Sequence, residues 1–141
     1  MIIRVLAAVI LQDGRYLICR RPDHKRHGGL WEFPGGKVEA GETDFEAAER
    51  EMREELDVTV DSVDPPLFTR RDEGSVFSIE FMPVEIRGTP REIEHSAHAW
   101  VPPQDLLAYE LAPSDRAFVK EHLVPSLDHI EASAQTSNSE A

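Results

Sequence analysis

Residues 2–11 form an almost unbroken run of Ile, Val, Leu and Ala in which Arg4 is the one charge. The run is shorter than the about 20 residues a bilayer span takes. It has no small-x-small cleavage site, and it ends at Asp13-Gly14, a turn signal, so it predicts a strand and not a signal peptide. A second apolar run at 15–20 follows at once, and the two predict a hairpin. Residues 22–30 are polar and carry Asp23, His24, Lys25, Arg26, His27 and two glycines, which predicts a surface loop. Trp31-Glu32-Phe33 predicts a short strand stopped by a Pro34-Gly35-Gly36 turn, where the backbone can come close to another group.

At Thr43 the period changes. Phe45, Ala48, Met52 and Leu56 recur at helical spacing, and Thr43 with Glu46 fits a capping box, so 43–56 is the clearest helix. Asp57 and Val58-Thr59-Val60 mark the switch back to a strand. Two more strands are predicted at 65–70 and 76–86 around an Asp72-Glu73-Gly74 turn, and a short one at 98–101. A short helix is predicted at 104–109, after Pro102-Pro103, and a C-terminal helix at 114–129, kinked or broken at Pro125. Residues 131–141 have no apolar period and predict a disordered tail. The order of elements predicts one α+β domain over 1–130, with a mixed β-sheet between helices.

A chain of 141 residues suits one domain and buries a core without metal or disulfide staples. The composition, 40% hydrophobic and 30% charged, is that of a soluble globular protein. Against 27 Asp and Glu stand 15 Lys and Arg, a net charge of −12 with no long basic run. Duplex binding needs a basic surface, so a nucleic-acid polymer is not the expected partner, and neither is a membrane. A small polyanion is compatible if cations stand between it and the carboxylates. The acidic charge suits a monomer or a homodimer. The single cysteine, Cys19, lies in an apolar run and reads as a buried hydrophobe compatible with a cytoplasmic, reducing setting. The six histidines fall in no zinc pattern and read as surface or loop residues.

Candidate chemistry concentrates on the helix. Glu51, Glu54 and Glu55 stand at i, i+3 and i+4, so their carboxylates converge on a face about 110° from the apolar one. A divalent cation would relieve their repulsion, and Mg²⁺ suits carboxylates that face phosphates. The same pattern also describes a solvated acidic face neutralised by Arg50 and Arg53.

Residues outside the acidic face separate the two. Gly36, Glu42, Arg50, Glu51, Met52, Glu54, Glu55 and Val58 fit G-x5-E-x7-R-E-U-x-E-E-x-G-U, with U apolar, at every fixed position except Asp57, which stands where Gly is usual. This resembles the Nudix box, the signature of hydrolases that act on a nucleoside diphosphate linked to another group. Residues 29–39 resemble the lead-in of the family's MutT-like group, and 94–101 its later metal-binding segment. Leu111-Ala112-Pro113-Ser114-Asp115 before an apolar helix is similar to the NudG-type CTP pyrophosphohydrolases of that group. The Gly usual at position 57 ends the helix in a left-handed conformation, which Asp tolerates.

The resemblance implies the Nudix α/β/α sandwich with a catalytic loop-helix-loop at 36–58. It implies Mg²⁺ or Mn²⁺ held by Glu51, Glu54, Glu55, Glu94 and the Gly36 carbonyl. Arg50 would orient the glutamates, Glu42 would support the loop, and Glu51, or second Glu54, would be the general base. The implied reaction is NTP + H2O to NMP + diphosphate, by attack at the β phosphorus. Arg21 matches a substrate-contacting Arg, and Lys37 and Ser114 join it as substrate contacts. Phe33 and Phe77 either stack on a base or lie in the core. Asp115 stands where MutT has the Asn that reads oxidised guanine. An ionised Asp only accepts hydrogen bonds, which leans towards cytidine nucleotides, and its other role is a helix cap. The expected substrates are CTP, 5-methyl-dCTP and the 8-oxo-dGTP class. The alternatives are a hydrolase of ADP-ribose or another nucleoside diphosphate derivative, and a non-catalytic nucleotide-binding domain.

Overall fold

The computed structural model describes residues 1–124. The Pro125 break, the domain boundary at 130 and the tail at 131–141 lie outside the described residues.

The first apolar run serves two sheets. It forms β1 (Ile3–Val9) and, after Ile10, the short β2 (Leu11–Gln12), which pairs with β3 (Arg15–Arg20). The expected hairpin is therefore present, closed by Asp13 at φ 51° and Gly14 at φ 76°, the left-handed pair a two-residue hairpin turn needs. The single strand expected over 2–11 is corrected to two. β3 pairs in turn with β4 (Trp31–Glu32) and β9 (Ala97–Val101), completing one sheet. β1 belongs to the other sheet, with β5 (Gly35–Lys37), β6 (Thr59–Val63), β7 (Phe68–Arg70) and β8 (Phe77–Arg87). β1 and β8 run parallel, while β5 is antiparallel to β1, and β6 and β7 to β8. The sheet is thus mixed, as expected, but curled and divided at Ile10.

β1 reads as a continuous apolar run because both of its faces are covered. Leu6, Ala8 and Ile10 pack with Met52 and Leu56 of α1 (Asp44–Leu56). Ala7 and Val9 join the opposite cluster with Phe33, Phe81 and Phe118. Phe118 ends α2 (Pro113–Phe118), which continues through a π-helical turn, Val119–Leu123. Helix, sheet and helix make the α/β/α sandwich. The ring of Phe81 stacks on Phe118 at 4.5 Å and 15°, and Phe33 meets Phe118 edge-on at 5.5 Å. Phe81→Ala is expected to cost about 3–5 kcal/mol in urea unfolding, as other buried Phe truncations do. A loss below about 1 kcal/mol would show that this layer does not hold the fold.

The capping box of α1 is formed. Thr43 Oγ1 accepts from the Glu46 N–H at 3.1 Å, and Glu46 Oε1 accepts from the Thr43 N–H at 2.9 Å. Asp57 ends the helix at φ 56°, ψ 44°, the left-handed conformation that usually falls to Gly. Phe45 was expected on the core face but is 39% exposed, and Ala47 is buried there instead. The 104–109 segment is a 3-10 helix, Pro103–Ala108, started by Pro102 and Pro103.

The expected Pro-Gly-Gly turn is corrected to strand β5. What the glycines supply there is close approach: a Cβ on Gly35 would collide with the Leu6 carbonyl of β1, and one on Gly36 would lie 2.5 Å from the Glu51 carboxylate. Two further backbone contacts place chemistry. The segment before β9 is tied to the end of α1, where Arg91 N–H donates to the Leu56 carbonyl at 2.9 Å and Ile93 N–H to that of Glu55 at 3.3 Å. Residues 110–112 run beside Trp31, which brings the start of α2 to β4.

Candidate active site

The loop before α1 and the helix itself meet at Arg50. Its guanidinium grips Glu42 with two hydrogen bonds, from Nε to Oε2 at 2.8 Å and from Nη2 to Oε1 at 2.9 Å. Nη1 donates to Glu51 Oε1 at 2.7 Å, and Nη2 also reaches the Lys37 carbonyl at 2.9 Å. Glu54 Oε2 lies 3.6 Å from Nη1. One cation therefore fixes the orientation of Glu51 and closes the loop onto the helix. Glu42 further accepts from the Glu39 N–H at 2.8 Å, and with Arg50 beside it its carboxyl is lowered to about 2.

Glu51 and Glu55 differ from a solvated face. Burial raises Glu51 above the usual carboxylate range, with Arg50 opposing and Glu54 and Glu94 adding to the rise. Glu55 is only 5% exposed. Burial, then Glu51, Glu32 and Glu94, push it well above the usual range, and a hydrogen bond from the Gly35 N–H pulls the other way. Its Oε2 is buried without a hydrogen-bond partner among the described residues. A buried anionic oxygen without a donor is costly, and a cation is the partner that would satisfy it. Glu54 stands apart, 53% exposed at the rim. No three His, Cys, Asp or Glu side chains among the described residues form a ready-made metal cage. The fit to a cation rests on the buried Glu55 oxygen, the neighbouring Glu51 and Glu94, and the Gly36 backbone against Glu51.

These groups line the acidic lobe of a cleft, a lobe of ≈300 Å³ that contains Gly36, Glu51, Glu55, Glu94 and His95. A second lobe of ≈530 Å³ carries Lys37, Arg70, Phe77 and Ser114. Val5, Arg21, Glu32, Gly36, Ile79 and Asp115 border both. Arg21 donates Nη1 to Glu32 at 3.2 Å and Nε to the Arg26 carbonyl at 2.7 Å, so its guanidinium is fixed at the junction. The Lys37 ammonium lies 5.7 Å above the Phe77 ring.

Several readings change. Phe33 is buried, its ring enclosed by Tyr16, Phe81 and Phe118, at the floor of the acidic lobe, while Phe77 faces the second lobe. Asp115 is neither a helix cap nor a simple anion. The cap position of α2 is Ala112, with no side-chain bond. Asp115 is buried, and its Oδ2 accepts from the Phe33 N–H at 2.9 Å. Burial pushes its carboxyl up to about 8, against the pull of the Phe33 and its own N–H groups, and so favours the protonated form, which donates as well as accepts.

A raised acid favours the fold when protonated, and that contribution is lost as pH rises from the ordinary Asp range through about 8. Asp115→Asn removes the titration. The melting temperature of the variant minus that of wild type is expected to increase between acid and about pH 8, and a flat difference would contradict the burial of this group.

Two residues of the site were not read from the sequence. In the sequence Glu32 shows as part of a strand in the 29–39 lead-in, and His95 as a surface or loop histidine in the 94–101 segment. His95 is buried, with Nε2 3.0 Å from Glu32 Oε2. Position next to Glu94 was the one signal that pointed to it.

The NUDIX domain family model matches residues 2–122. The chain is 38% identical over 115 residues to the CTP pyrophosphohydrolase of Escherichia coli, covering 80% of this chain and 85% of that protein. It is 32% identical over 130 residues to the nucleoside triphosphatase NudI of Escherichia coli, covering 79% and 90%. A solved MutT structure, from work on the Aliivibrio salmonicida and Vibrio cholerae proteins, superposes with TM-score 0.74 at 35% identity, covering 86% of this chain and 96% of that one.

Proposed function

The chain belongs to the NUDIX domain family and is a Nudix hydrolase, and from that premise we propose that it is a cation-dependent nucleoside triphosphate pyrophosphohydrolase acting on cytidine or oxidised nucleotides. The observation that carries this reading is the buried, partnerless carboxylate oxygen of Glu55, set in an acidic lobe that opens onto a larger lobe with basic and aromatic walls.

Glu51, Glu55 and Glu94 with the Gly36 carbonyl, and Glu54 from the rim, would hold Mg²⁺ or Mn²⁺. When bound, the ion supplies charge neutralisation and Lewis acidity at the phosphates. The remaining work belongs to the side chains. Arg21 and Lys37 offer cations to the phosphate chain from the shared border and the second lobe. Glu51 accepts the proton of the attacking water. Its place in the cleft favours it over the exposed Glu54, and burial raises its basicity. Water attacks the β phosphorus, the bond from that phosphorus to the α–β bridging oxygen breaks, and NMP leaves as diphosphate forms. Arg50 keeps Glu51 aimed and Glu42 keeps the loop closed.

Phe77, Ser114 and Asp115 frame the base. A protonated Asp115 would present one donor and one acceptor, as an Asn amide does, and so suits cytosine or an oxidised guanine, while the ionised form leans towards cytidine.

The test is the kcat/KM of the full-length protein on CTP, dCTP, 5-methyl-dCTP, 8-oxo-dGTP, dGTP and ADP-ribose with Mg²⁺. Turnover of a cytidine or oxidised triphosphate in preference to dGTP and ADP-ribose supports the reading. Release of AMP from ADP-ribose with the triphosphates untouched overturns it.

A further inference from the structure

His95 lies between two carboxylates that are far apart in the sequence. Its side chain is 4% exposed, and Nε2 stands 3.0 Å from Glu32 Oε2 and 3.9 Å from Glu55 Oε1. The shorter contact assigns the proton: Nε2–H donates to Glu32. Both oxygens of Glu32 also accept from Arg21 Nη1, at 3.2 and 3.3 Å, and Arg21 in turn holds the Arg26 carbonyl. A chain of contacts thus runs from the basic loop to the acidic helix through Arg21, Glu32, His95 and Glu55. The segment that carries His95 is pinned on both sides, by Ile93 N–H to the Glu55 carbonyl at 3.3 Å and by Ser96 N–H to that of Arg20 at 3.0 Å. These bonds fix the backbone that carries the ring.

We propose that His95 is a positioning residue: by donating to Glu32 it keeps that carboxylate turned to Arg21 and holds the neighbouring Glu55 in the orientation a cation requires. The proposal rests on the cation-binding reading of the acidic lobe. Without the imidazole donor, Glu32 and Glu55 would face each other as two carboxylates in one buried wall. Carboxylates so placed push each other apart, and that displacement spoils a ligand set. A group that orients a ligand in this way acts on cation affinity before it acts on turnover.

The test is Mn²⁺ binding to the full-length protein without nucleotide, read as loss of the free-ion EPR signal. Wild type is compared with His95→Phe, which retains a ring and loses the donor, and His95→Gln, whose amide nitrogen can replace Nε2. Wild type is expected to bind, His95→Phe to bind roughly 10–100-fold more weakly, and His95→Gln to recover to within about threefold of wild type. Equal binding by wild type and His95→Phe overturns the proposal. Equal weakening by both variants also overturns it, because ring volume and not the donor would then be responsible. Absence of Mn²⁺ binding by wild type defeats the cation reading itself, and this proposal with it. If His95→Phe does not fold, His95→Leu removes the same donor with a smaller side chain, leaves Glu32 in place, and must show the same loss.

Discussion

Glu55→Gln is expected to lower kcat for nucleotide hydrolysis by roughly 10²–10³-fold, since a cation ligand contributes several kcal/mol and each tenfold in rate is about 1.4 kcal/mol. The same change is expected to leave the melting temperature of the cation-free protein equal to wild type or above it. Glu55 is buried with one oxygen unpartnered and with Glu51, Glu32 and Glu94 nearby, and all of these penalise its charge. Its raised carboxyl is held best when protonated, so wild type loses stability as pH rises through the range where Glu55 ionises, and a neutral amide removes that loss. A fall in activity beside equal or higher stability marks a residue kept for function. Full activity, or a cooperative loss of fold, would refute the assignment. Activity assays and melts on the same preparation decide the matter.

Arg50→Lys is expected to reduce kcat by roughly 10–100-fold and to lower the melting temperature despite conserving charge. The guanidinium meets Glu42, Glu51 and the Lys37 carbonyl at once, at 2.7–2.9 Å. An ammonium is a single point on a flexible stem and cannot satisfy these directions together. Loss of Glu51 aim should appear mainly in kcat, and loss of the Glu42 grip mainly in the melt. Unchanged values of both would mean that the network is ornamental.

The helix and its acidic face were legible because their determinants are local. The capping box, the apolar period and the Asp57 stop all act within one stretch of chain, and α1 ends where they place it. The exposure of Phe45 was not legible, since the period does not say how far the core reaches around a helix. Ile2 to Leu11 reads as one strand because both faces of β1 are covered, which removes the alternation that would mark the division at Ile10. At Gly35 and Gly36 the close approach read from the sequence is present, to Leu6 and Glu51, but within a strand and not a turn. The pairing of Glu32 with His95 joins positions 63 residues apart, and no periodicity records such a contact. The upward push of burial on the Asp115 carboxyl is a property of the whole fold and cannot be read from its residue type.

The central claim is the reaction, and the most direct measurement is ³¹P NMR of CTP turning over with the full-length protein. With Mg²⁺ the account predicts CMP and diphosphate in equal amounts, with turnover halted by EDTA and restored by excess Mg²⁺. Formation of CDP and phosphate, or turnover undiminished in EDTA, would contradict it.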